Sequence, residues 1–488
     1  MKKYVIWFVL LSFVCLTAQN KVAQKITDLQ NARTNFSRIS IFNTESEVDE
    51  GIAKIVREAT ITSYNKDKGS QLMINKSEYL ELEIPFQDQI VSLLLYQVNP
   101  MAEGFHVDTD KRKNIGYEKG LYYRGIIKGD PKSIASFNFF NGECNGVFSN
   151  ATFGNVVVGK LKTPGNSSRY IIYSESKMNV VNTFDCHVKE SEWLPNSNFS
   201  SSKSALSNRC ASIYFEIDYD LYTTNNSSEL ETTNWLTSVF NNIQTLYDND
   251  SISVAIKSVF IWTSQDPYNG IGTTSFEYLS AFGTNTPIFD ADLGQLLGID
   301  PGGLGGVAIA INGLCSQNNY SYSDVNVEYE NVPTFSWTIQ VMTHELGHLL
   351  GSPHTHGCYW NGNSTAIDGC GPTADAGYTE GNCDIGPLPA GSEGGTIMSY
   401  CHLVSGIGIN LANGFGPQPA ALILDTVNSA SCLSTDCINT CINMITNVEV
   451  SNITDDGALI VWNESGDALS WQVSVTPFSS TNIVWNTV

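Results

Sequence analysis

The sequence predicts an α/β (α+β) domain, preceded by a β-rich region and followed by a fragment of a β-sandwich. Three patterns carry this reading. Short apolar–polar alternations broken by Gly, Asn and Asp run from Gln19 to about Glu190. Between Ser212 and Leu350, strand-like and helix-like segments alternate, as they do where helices pack on a sheet. Beyond Ile445 lie two short runs of strand character, each bearing a tryptophan.

In chain order, Lys2 and Lys3 precede an apolar run from Tyr4 to Val14, with small Ala18 at a cleavage position. Residues 1–18 therefore read as a secretory signal peptide, too short to anchor in a membrane. Residues 19–192 form the β-rich region, with strands expected at Ile90–Val98, Ser133–Phe140 and Tyr170–Tyr173. Residues 193–209 (WLPNSNFSSSKSALSNR) have linker composition, either a plain tether or a maturation site.

Residues 210–435 form the α/β domain. Its expected strands are Ser212–Asp218, Ser251–Thr263 and Gly303–Cys315, and its expected helices Thr233–Asp248, Phe335–Leu350 and Pro419–Ser429. A short linker, 436–444, leads to 445–488. There Ala458–Trp462 and Ser470–Val475 resemble early strands of a fibronectin type III sandwich, about half of such a domain.

The chain has 488 residues, of which 15% are charged and 42% hydrophobic, a globular composition. Lys and Arg total 26 against 49 Asp and Glu, a formal charge of −23 that would repel nucleic acids and anionic membranes. Past the leader no apolar run is long enough for a membrane span. Twelve cysteines favour an oxidising, extracellular setting.

The informative segment is His344–His354, HELGHLLGSPH. His344 and His348 lie four apart on an expected helix, so both imidazoles project from one face. Glu345 is placed to reach a water on an ion they share. Gly351 follows the last turn, where a left-handed residue ends a helix, so the chain can return and bring His354 to the same ion. Three neutral imidazoles and a water make the open tetrahedral arrangement of catalytic zinc. A shuffled chain of this composition would contain the five-residue pattern on the order of once in 10⁵ trials.

This motif, with Gly395–Tyr400 (GTIMSY) downstream, resembles the metzincin zinc endopeptidases. The resemblance implies a twisted mixed sheet with an active-site helix, one catalytic zinc on His344, His348 and His354, and Glu345 as general base. It also implies a tight turn beneath the metal at Met398. Tyr400 matches a tyrosine that in some metzincins binds zinc or the oxyanion; packing beside the turn is the alternative. The sequence is silent on calcium.

Within the clan the pattern is most similar to the adamalysin (reprolysin) type, and Ser133–Ser149 resembles adamalysin propeptides. One departure is Thr355, where adamalysins usually carry Asp; a pappalysin-like assignment is the rival. The resemblance implies a Cys315–Cys432 disulfide. Spacing does not determine the remaining pairs; Cys358–Cys401 with Cys370–Cys383 is an assignment that fits the family layout, and Cys437–Cys441 is a candidate small bridge. Removing the leader leaves an odd cysteine. By resemblance to family propeptides, whose thiol ligates the zinc, Cys186, or failing that Cys144, is the candidate latency thiol, unless both form ordinary disulfides, one of them to Cys210.

The expected protein is a secreted, monomeric zinc endopeptidase made as a latent precursor, acting on proteins or peptides that pair with an edge strand near Gly303–Ile311. The competing reading is an extracellular adhesion protein with a vestigial protease domain, against which the intact Glu345 argues.

Overall fold

The computed structural model describes residues 20–45, 50–166, 168–179, 207–299, 304–374, 380–435, 437, 446–454, 457–463, 472–473 and 486–487. The apolar leader, Cys186, Cys441 and residues 193–206 of the linker lie outside the described residues. The chain divides into two compact units, 1–438 and 439–488.

The N-terminal part of the first unit is built on a ten-stranded sheet. Its spatial order is Ser37–Ser40, Tyr79–Phe86, Gln89–Val98, Leu121–Ile127, Ile134–Phe140, Glu143–Asn150, Gly154–Lys160, Arg169–Ser174, Ala59–Tyr64 and Phe42–Thr44. The first pair is parallel and the others antiparallel. Tyr79–Phe86 shows the expected alternation: Leu80, Leu82 and Ile84 are buried, while Glu81 and Glu83 face outward to Lys128 and Arg38. The central strands Leu121–Ile127 and Ile134–Phe140 are buried at every position, because both faces of the sheet are covered there.

The second sheet has six strands: β1 (Met101–Thr109), β2 (Cys210–Ile217), β3 (Ser253–Ile261), β4 (Leu293–Gly298), β5 (Gly306–Ala308) and β6 (Tyr320–Asp324). Their order is β5-β6-β4-β2-β3-β1, parallel except for β5, which runs antiparallel to β6 at one edge. Strand β1 comes from the β-rich N-terminal region, so the two regions share a sheet. Two helices cover one face, α1 (Glu229–Asn249) and α3 (Ser336–Leu349), and α2 (Ser275–Asn285) covers the other, where Tyr278, Leu279 and Phe282 pack on Leu296, Val307 and Tyr322. A last helix, α4, spans Pro417–Ser429.

Helix α1 lies between the two sheets. One hydrophobic cluster runs through it, joining Tyr122, Ile134 and Phe140 to Phe215, Phe240, Ile339 and Met342. Polar links reinforce the junction. The Asn241 amide donates to Asn138 Oδ1 and the Tyr123 carbonyl, and the buried Arg124 pairs with Asp248 at 3.1 Å.

Expected and observed elements differ at the Gly303–Cys315 strand. Only Gly306–Ala308 pairs, and β4 and β6 supply the strands beside it. The glycines that opened the run leave too little side chain to hold a longer edge strand. The disulfides Cys315–Cys432, Cys358–Cys383, Cys370–Cys401 and Cys210–Cys437 form. The first matches expectation. Cys358–Cys401, Cys370–Cys383 and Cys437–Cys441 are replaced, because the chain after His354 folds back before it reaches the Met398 turn. Cys210, at the start of β2, meets Cys437 as the chain leaves the unit.

In the second unit Thr446–Ser451 pairs antiparallel with Leu459–Asn463, and Gln472–Val473 with Asn486–Thr487. No helix among the described residues is long and apolar enough to cross a membrane.

Candidate metal centre

Helix α3 carries His344, Glu345 and His348 and is buried along its whole length. It stops at Leu350. Gly351 follows with φ +105°, its N–H donating to the His348 carbonyl at 2.9 Å, and Ser352 N–H reaches the Gly347 carbonyl at 3.0 Å. This reversal sends the chain back under the helix, and His354 arrives beside the first two histidines.

The three Nε2 atoms form a triangle with every side 3.1 Å. Each opposite nitrogen has an acceptor. His344 Nδ1 donates to the Ile397 carbonyl at 2.7 Å, His348 Nδ1 to the Ser352 carbonyl at 2.7 Å, and His354 Nδ1 to a carboxylate oxygen of Glu380. Carbonyls and carboxylates only accept, so the protons sit on Nδ1 and three bare Nε2 lone pairs converge. Lone pairs at this spacing repel one another unless a cation lies among them. Nitrogens about 2.0–2.1 Å from a tetrahedral zinc are separated by about 3.3 Å, close to the observed triangle. The donor set can hold a metal ion.

Electrostatics keep the imidazoles neutral, as metal binding requires. Burial lowers His344 to about 4, and burial with the neighbouring imidazoles holds His348 and His354 well below the usual histidine range.

The other expected residues are brought close. The Met398 sulfur lies under α3, 2.6 Å from where a Cβ on Gly347 would stand. Thr355, the departure from the adamalysin pattern, donates through both its N–H (3.1 Å) and its hydroxyl (3.2 Å) to the Met398 carbonyl. It thereby ties the third-histidine segment to the methionine turn. Tyr400 is buried with its ring centroid 4.6 Å from that of His354. Glu345 is fully buried, its carboxylate against Gly306 of the edge strand β5.

Cys186 lies outside the described residues. Cys144, the second candidate thiol, is not brought to the histidines. It sits in the far core of the ten-stranded sheet with Phe137 and Tyr170, where burial pushes its thiol well up. Glu380 was not singled out from the sequence. It stands 26 positions beyond His354, and the only signal for it is the Cys358–Cys383 pairing, which spacing does not reveal.

Residues 206–405 match the model of the Reprolysin_5 family, metallo-peptidase family M12. No curated protein matches the chain. Among solved structures, the chain resembles metalloproteinase-II from Bacteroides fragilis at 12% identity and a TM-score of 0.35, over 60% of this chain and 89% of that one. It also resembles a chaperone–substrate complex at 13% identity and a TM-score of 0.28, over 61% of this chain and 38% of that one.

Proposed function

We propose that the protein is a secreted zinc endopeptidase made as a latent precursor, with residues 206–405, which match the M12 metallo-peptidase model, forming a metzincin-like metallopeptidase domain. The observation that carries the reading is the triangle of Nε2 atoms, each lone pair turned inward because the other nitrogen's proton is committed elsewhere.

His344, His348 and His354 would hold the zinc. When bound, the ion supplies a Lewis acid for a peptide carbonyl and a strongly lowered pKa for a water. Glu345, next to the first ligand on α3, takes the proton of the attacking water and passes it to the departing amine. Tyr400, beside His354, donates its hydroxyl to the developing oxyanion. Strand β5 is the open edge of the six-stranded sheet, and an extended substrate backbone pairs along it, which favours cleavage within chains.

Secretion rests on the leader and the four disulfides among the described residues. Latency rests on residues 19–192, which act as a propeptide, with Cys186 as the candidate thiol for the metal. The N-terminal sheet touches the segment after the methionine turn. Asn155 donates to the Ile409 carbonyl and accepts from Leu411 N–H, and Ser149 donates to Asn410.

The test is metal content and casein cleavage on one purified sample, before and after limited proteolysis. About one zinc per chain and cleavage after processing are expected. Glu345→Gln should keep the zinc and lose at least about 100-fold in rate. A processed, zinc-loaded protein that cleaves no protein substrate would sink the reading.

A further inference from the structure

The three histidines are not held alike. His344 and His348 lean on backbone carbonyls, whereas His354 leans on a carboxylate from another segment. Resting on the zinc reading above, we propose that Glu380 is the positioning residue for the third ligand, carried to it by the loop that the Cys358–Cys383 disulfide closes.

The loop geometry supports this. Cys358 follows His354 by four residues and Cys383 follows Glu380 by three, so the bridge joins the two stretches just past the pair. Cys358 N–H donates to the Glu380 carbonyl at 2.8 Å, which fixes the backbone from which the carboxylate reaches back. His356 stacks on His354 at 5.0 Å between centroids, with its Nε2 3.6 Å from the same carboxylate oxygen. The imidazole is therefore held in its plane as well as in its tautomer.

The consequence is chemical. His354 comes from a loop, without the helix that orients the other two ligands. A carboxylate on its Nδ1–H turns the Nε2 lone pair to the metal and raises its basicity. The negative charge also offsets part of the charge of the ion.

The test compares full-length wild type with Glu380→Gln, which keeps an acceptor oxygen without the charge, and Glu380→Leu, which has neither. Zinc affinity is read by chelator competition, and the visible spectrum of the cobalt-loaded protein reports the ligand field. Expected are losses in affinity of about tenfold for Gln and about a hundredfold for Leu, with a displaced cobalt band in Gln. Wild-type affinity in either variant, or an unmoved cobalt band in Gln, overturns the proposal. Failure of the wild type itself to bind zinc would instead overturn the endopeptidase reading on which the proposal rests.

Discussion

The Glu345 carboxylate lies against the backbone of Gly306, so closely that a Cβ on the glycine would overlap Glu345 Oε1. The expected general base and the edge strand expected to receive substrate thus share one wall of the site. Helix α3 sets one side of that wall and β5 the other, and the absence of a single side chain lets them meet.

Gly306→Ala should therefore displace either the carboxylate or the strand while leaving the histidines in place. We expect kcat/KM to fall by roughly 10- to 100-fold with zinc content unchanged, since an ångström of misplacement near the chemistry costs about that much. Steady-state kinetics and metal analysis on the same preparation check it. Loss of zinc in parallel would show that the damage extends beyond Glu345.

Removing the metal should cost stability as well as activity. On the proposed reading, a cation would satisfy three inward lone pairs that repel without it, and so would bind the folded state far better than the unfolded one. At free zinc about 1,000 times the dissociation constant, this linkage is worth about 4 kcal/mol. Calorimetry with and without chelator should show a lowered Tm that zinc restores.

Asp250 should make stability fall as pH rises. Burial lifts its carboxyl from 3.8 to about 7, opposed by the Phe415 N–H that it accepts at 2.8 Å. The native state therefore keeps a proton that the unfolded chain releases near pH 4, and ionisation opposes folding increasingly up to about pH 7. Asp250→Asn retains an acceptor for Phe415 without the charge. The variant should gain on wild type by a few kcal/mol between pH 4 and 7, and the gap should level off above. Urea titrations across that range measure it. The effect bears on the site, because Ile397, which accepts from His344, donates its N–H to the Gly414 carbonyl.

Arg124 should anchor the N-terminal sheet to α1. Burial alone would raise the Asp248 carboxyl, but the charges of Arg124 and Lys21 outweigh it and hold the group below its usual range. Arg124→Met leaves Asp248 only Lys21, at 2.6 Å. A loss of about 2 kcal/mol or more is expected at neutral pH, shrinking as acid protonates Asp248. Denaturation midpoints at pH 7 and pH 3 test both the size and the sign.

Much of the site was legible in the sequence because it is local. The positions of His344, Glu345 and His348 follow from the period of one helix, and the approach of His354 from the left-handed glycine that ends it. The Met398 turn was readable from its neighbours by resemblance. Glu380 was not, since no short-range pattern connects it to His354. The long third strand expected at Gly303–Cys315 dissolved into a three-residue edge, because apolar character alone does not say which residues find a partner.

By itself, then, the sequence determined that three histidines converge, the helix that presents two of them and the turn that returns the third, all consequences of backbone periodicity and glycine stereochemistry. Tertiary structure decided what surrounds them: the pairing of Cys358 with Cys383, the carboxylate behind His354, the insertion of Met101–Thr109 beside β3, and the contact of Gly306 with Glu345. Each depends on segments far apart in the chain meeting in a shared core, which packing selects and spacing along the chain does not encode.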